Sequence, residues 1–141
     1  THPGIEMLGH SVREAVQDGE IHAKAIKALG DKYPSKASTV IMDLTVEAEA
    51  FGCSISFPEE DMPLISGKLV DASTVERLQV PSLTAGRIPQ YLRANRLAAG
   101  MIEAKPVLAG VIGPFSLAGI ERKRLRGYRH RGAGRGLAFQ R

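Results

Sequence analysis

Apolar residues recur at helical spacing in the first thirty positions and then give way to short unbroken runs, a change of period that marks an α/β protein. Ser11-Val12-Arg13-Glu14 has the Ser-x-x-Glu spacing of a capping box, so a helix is expected to open there. Val12, Ala15 and Val16 fall on one face of it. Asp18-Gly19 weakens the pattern, and Ile21, Ala25, Ile26 and Leu29 resume it at three- and four-residue intervals. Gly30 suits the C-terminal cap, and Tyr33-Pro34 keeps the helix from continuing. An apolar run from Thr39 to Met42 predicts a strand that delivers Asp43 at its end. A helical turn closed by Gly52 follows, and Cys53 to Phe57 forms a second short strand, stopped by Pro58 and the acids Glu59, Glu60 and Asp61. Ser73-Thr74-Val75-Glu76 is another capping box, predicting a brief helix. A longer helix is expected from Pro89 to Glu103, with Ile88, Tyr91, Leu92, Ala99 and Ile102 on its apolar side. Val107 to Ile112 is continuously apolar, as in a parallel strand covered on both faces, and Ser116 in the turn after it is placed to cap a further helix. This order of elements predicts α/β architecture with right-handed crossovers.

Composition narrows the reading only slightly. The chain has 141 residues, 43% hydrophobic and 24% charged, which is one domain's worth of core. Aromatics are 5% and Trp is absent, so that core must be built from Ala, Leu, Ile and Val. No apolar run reaches the roughly 18 residues a membrane span requires. The chain does not begin with Met, so a processed or clipped N-terminus is expected. A single cysteine, Cys53, excludes an internal disulfide and fits a reducing compartment, so a cytoplasmic location is expected.

Charge alters the picture more, because it is unevenly spread. Of the net +4, the last 21 residues account for +7, which leaves the first 120 at −3. The body therefore offers no basic surface for nucleic acid. The segment Arg126 to Gly136 resembles the Arg/Gly stretches that bind single strands through charge and stacking. It lacks any helical or alternating period, however, and such sequence is also what a G+C-rich gene gives when read in a shifted frame. The second account is preferred. Residues 120–141 are expected to form a disordered or non-native tail, and nucleic acid is not an expected partner.

Candidate chemistry centres on Asp43, since a carboxylate at the C-terminal end of a buried parallel strand is where barrel enzymes display reactive groups. The bland alternative is a helix N-cap. Glu47 and Glu49 lie two positions apart on the following helix, point in different directions, and read as solvated helix charges with one facing the cavity mouth. Gly113-Pro114-Phe115-Ser116 is a turn whose backbone N–H groups lie at a strand end, though a Gly-Pro pair there commonly just turns the chain. His2, His10, His22, His130 and Cys53 lack the close spacing of a metal set, and His22 reads as a solvated residue on a polar helix face. No metal is expected on this chain.

Three stretches resemble the uroporphyrinogen decarboxylase superfamily: His2-Pro3-Gly4-Ile5, Met42 to Gly52 (MDLTVEAEAFG) and Pro106 to Gly119 (PVLAGVIGPFSLAG). The closer likeness is to its corrinoid-dependent methyltransferases, which act on coenzyme M or similar thiols. The resemblance implies a (β/α)₈ TIM barrel, a fold that typically takes about 250 residues, so residues 1–119 correspond to its N-terminal half. In the decarboxylases an aspartate with the spacing of Asp43 to Gly52 contacts the pyrrole nitrogens of a tetrapyrrole substrate. Their Arg- and Gly-rich N-terminal motif has no counterpart here, which argues against an acid-rich porphyrinogen. The methyltransferases hold zinc through His and Cys of the second barrel half, where it activates the acceptor thiol. The resemblance thus implies Asp43 as the catalytic group, with Glu47, Glu49, Gly113, Pro114, Phe115 and Ser116 lining the substrate cavity. For a full-length parent it implies zinc, a corrinoid cofactor and a methyl-corrinoid protein or tetrapyrrole as partner. This chain alone is expected to bind neither cofactor, to be inactive, and to associate with itself through open strand edges.

Overall fold

The computed structural model describes residues 1–66 and 75–122. Three helices lead: α1 (His2–Met7), α2 (Val12–Gln17) and α3 (Gly19–Lys32). They are followed by β1 (Ser38–Thr39), α4 (Val46–Ala50), β2 (Ile55–Ser56) and β3 (Leu64–Ile65), then α5 (Ile88–Met101), β4 (Val107–Leu108) and α6 (Pro114–Arg122). Ser73 and Thr74 of the second capping box lie outside the described residues, as does the tail from residue 123; a single 3-10 turn, Val75–Arg77, stands where the brief helix was expected.

The predicted capping box at Ser11 is complete: the hydroxyl accepts the Glu14 N–H and the Glu14 carboxylate accepts the Ser11 N–H. These hydrogen bonds, with His10 nearby, hold the Glu14 carboxyl below its ordinary range. Asp18-Gly19 ends one helix and opens the next. The Asp18 carboxylate accepts the N–H groups of Glu20 and Ile21, capping α3. Gly19 is required for close approach, because a Cβ there would lie 2.4 Å from the Gln90 carbonyl oxygen on α5. Gly30 does not cap α3, which runs on to Lys32 and stops at Tyr33, in extended backbone before Pro34.

β1 and β4 pair in parallel, Ser38 with Val107 and Thr39 with Leu108, as the α/β reading requires. The ladder is shorter than the apolar runs that predicted it. Val40 still donates its N–H to the Leu108 carbonyl, but at Ile41 the backbone N–H turns to a histidine side chain on α3. The run after Leu108 is not covered on both faces. Leu108 is 51% and Val111 78% exposed, while Val107, one residue along and on the other face, packs against the helices. Cys53 to Phe57 contributes β2, paired antiparallel with β3 in a separate hairpin. No closed barrel is present among the described residues.

The core lies between the helices and β1. Ile5, Val12, Ala15, Val16, Ala25 and Ile41 form one buried cluster; Ala23, Ile26, Val40, Ala98 and Ile102 form the other. Alanines at the α3–α5 contact let these two 14-residue helices pack closely against each other. Tyr91, Ala94 and Ala98 form the buried stripe of α5, while Leu92, assigned to that stripe by spacing, is 48% exposed.

Candidate functional site

The strand predicted to run to Asp43 is shorter: β1 is Ser38–Thr39, Val40 makes the last hydrogen bond to β4, and Asp43 lies three residues farther along. Its carboxylate turns inward, and the side chain is only 1% exposed. Oδ1 accepts the Thr45 N–H at 2.9 Å and the Thr45 hydroxyl at 2.7 Å, a local turn that precedes α4. Thr45, rather than Asp43, occupies the N-cap of α4. Oδ2 accepts Arg87 Nη1 at 2.5 Å and the Tyr91 hydroxyl at 3.0 Å.

Arg87 is the hub of the group. It sits at the N-terminus of α5, is 6% exposed, and has every side-chain nitrogen engaged. Nε donates to Glu49 at 2.6 Å, Nη1 to Asp43, and Nη2 to the Thr45 hydroxyl at 2.8 Å. Its guanidinium also lies 4.9 Å from the centre of the Phe57 ring. Burial works against its charge, but Asp43 and Glu49 outweigh burial and raise its pKa further. Burial, with the Asp43 charge, likewise raises the Tyr91 phenol and keeps it a donor.

His22 extends the network to the strand. It is 1% exposed, its Nε2 accepts the Ile41 N–H at 2.9 Å, and its ring meets Tyr91 edge-on with centroids 5.1 Å apart. The polar-face reading of His22 is therefore corrected. It takes the buried side of α3 because the strand backbone needs an acceptor there. Burial lowers its pKa to about 4, so near neutrality it is uncharged, with Nε2 free to accept.

The solvated reading of Glu47 and Glu49 also fails. Glu49 is 21% exposed and paired with Arg87, while Glu47 Oε1 accepts the Ile112 N–H at 3.1 Å. The remaining Glu47 oxygen is buried with no hydrogen-bond partner among the described residues. The two side chains do diverge, as their spacing requires. Gly52 closes the segment as predicted, at φ +100°.

Gly113, Pro114, Phe115 and Ser116 do not join this group. All four are exposed, Phe115 to 92%, and the site's hydrogen bond toward them runs from the N–H of Ile112, the residue before Gly113, to Glu47. Ser116 is not a cap, because α6 begins two residues earlier at Pro114, whose fixed φ suits a first turn.

Arg87 was not legible in the sequence. It stands 44 residues from Asp43 in a polar stretch, and only its place just before the Pro89 helix start hints at a role. Among the described residues no three His, Cys, Asp or Glu side chains are grouped to hold a metal ion. His22 Nε2 is committed to the backbone and Cys53 is buried. The side chains present do not fit a zinc site, and no step through zinc is derived for this chain.

Comparison with known proteins adds the context. Residues 4–124 match the family "Uroporphyrinogen decarboxylase (URO-D)". The methylcobamide:CoM methyltransferases MtbA of Methanosarcina mazei and of Methanosarcina acetivorans are each 32% identical over 117 residues. Each match covers 81% of this chain and 34% of the relative, so the chain spans about a third of their length. Among solved structures, a methyltransferase from Methanosarcina mazei superposes with a TM-score of 0.77 at 26% identity, over 86% of this chain and 37% of that one.

Proposed function

This chain belongs to the uroporphyrinogen decarboxylase family, and from that premise we propose that it forms the first part of a corrinoid-dependent methyltransferase passing a methyl group to a thiol. The observation that carries the reading is 32% identity with two methylcobamide:CoM methyltransferases across 81% of the chain. The fold likeness, with β1 and β4 as adjacent parallel strands of a (β/α)₈ barrel, supports it. In this reading the chain corresponds to the N-terminal strands of the barrel. The rest of the barrel supplies the zinc ligands and the surface for a methyl-corrinoid protein.

The roles of the site residues follow from burial. Asp43, shielded by Arg87 and Tyr91, is a positioning residue: it fixes the strand end to α5. Glu49 completes the clamp on Arg87, and Glu47 joins α4 to the segment leading into Gly113–Ser116. That exposed turn, with Phe115 at its edge, is the part of this chain available to line a substrate cavity.

The test is a chimera. Residues 4–122 replace the matching segment of the Methanosarcina mazei methylcobamide:CoM methyltransferase, and transfer from methylcobalamin to coenzyme M is measured. Retained thiol methylation is the expected result. A folded chimera that methylates no thiol and instead decarboxylates a porphyrinogen would replace this reading with the decarboxylase one.

A further inference from the structure

β1 and β4 present two faces. On one, Val40 and Val107 pack into the core with Ala23 and Ile26 of α3 and Ala98 of α5. On the other, the paired Thr39 and Leu108 are exposed. Gly110 stands two residues past Leu108 and so falls on the exposed face. It has no side chain to place there, and the tip of Met42 fills the space. A Cβ on Gly110 would lie 2.6 Å from the Met42 Cε and 3.0 Å from its Sδ. Met42 belongs to the segment after β1, where the adjacent Asp43 turns its carboxylate to Arg87 and Tyr91. The strand end thus hides its acid and shows a thioether, 60% exposed.

We propose that Met42, lying across Gly110, is a specificity-determining side chain: it forms an adjustable wall of the substrate cavity and sets how long an acceptor thiol can be. The inference rests on the functional reading above and adds a wall to the one offered by the Gly113–Ser116 turn. Three observations carry it. Met42 and Gly110 lie just past the C-terminal ends of two parallel strands, the end where barrel enzymes handle substrate. Met42 and its exposed neighbours Leu108, Val111 and Phe115 are all uncharged, so this wall suits the alkyl and sulfur atoms of a thiol and would desolvate a charged group at a cost. The contact at Gly110 involves only the far end of an unbranched, polarizable side chain, which moves cheaply. A methyl group added at Gly110 therefore pushes Met42 off β4 and into the cavity while the backbone stays in place.

The test is kinetic, in the chimera described above, with coenzyme M and a homologue one methylene longer as acceptors. Met42→Ala lengthens the cavity and is expected to raise kcat/KM for the longer thiol, relative to coenzyme M, about tenfold, the scale one methylene commands in an apolar pocket. Gly110→Ala is expected to raise KM for coenzyme M about fivefold at nearly unchanged kcat, the pattern of lost uniform binding. Combining the two returns KM to its value in Met42→Ala, because the displaced side chain is gone. A merely structural role for the pair would lower stability and leave the ratio between the two thiols where it was. In the full 141-residue chain, Gly110→Ala is also expected to shift the Met42 ε-methyl resonance in a carbon-13 NMR spectrum. The proposal is overturned if that resonance stays in place, if neither substitution alters the preference between thiols, or if the Gly110→Ala effect persists in the double variant. An active chimera with unaltered thiol preference removes the role of Met42 and leaves the methyltransferase reading; a folded chimera that methylates no thiol removes both.

Discussion

Arg87 carries more of this structure than any other residue, because it is a buried cation answering two carboxylates. A buried ion pair is weak evidence of net stabilisation, since desolvation offsets most of the attraction. Breaking one is different, because the stranded charges remain in low dielectric. Arg87→Met leaves Asp43 and Glu49 facing each other and is expected to destabilise the fold by about 3–5 kcal/mol, read as a fall in the urea midpoint at unchanged slope. Tyr91→Phe removes one neutral donor from the same carboxylate and is expected to cost only about 1 kcal/mol. Comparable losses for the two would show that Arg87 is not the hub.

At the scale of elements, His22 ties α3 to the strand at Ile41, and that tie depends on pH. Burial depresses the folded-state pKa to about 4 from an ordinary 6.5, so the unfolded chain binds the proton more readily. The contribution is fully present above pH 6.5 and is lost as pH falls toward 4. Its ceiling is about 3 kcal/mol, from 1.36 kcal/mol for each pKa unit. Urea titrations between pH 7 and pH 4 are expected to show this loss, and His22→Gln, whose amide can still accept, is expected to flatten it. An equally steep decline in the variant would transfer the effect to carboxylates elsewhere. Element boundaries followed local chemistry where that chemistry was strong. The Ser11 box and the Gly52 turn were legible in the sequence because their hydrogen bonds and φ values are set within a few residues. The 107–112 strand was overextended, because an apolar run records what will eventually be covered and not which neighbours this segment has.

For the molecule as a whole, β1 and β4 make only a two-stranded parallel sheet among the described residues, and the apolar side chains of Leu108, Val111 and Phe115 remain in water. The chain alone is expected to melt over a broad transition and to bind a hydrophobic dye such as ANS, with both signs reduced in the chimera. A sharp two-state melt of the isolated monomer would count against this. The sequence by itself determined the helix starts at Ser11 and beside Pro89, the α/β order and the family likeness, since each is written in residues close together along the chain. Only the tertiary structure decided that Asp43 faces Arg87 and Tyr91, that His22 is buried against the strand backbone, and that β1 pairs with β4. Those outcomes join residues 19 to 69 positions apart, and periodicity carries no information about partners at that distance.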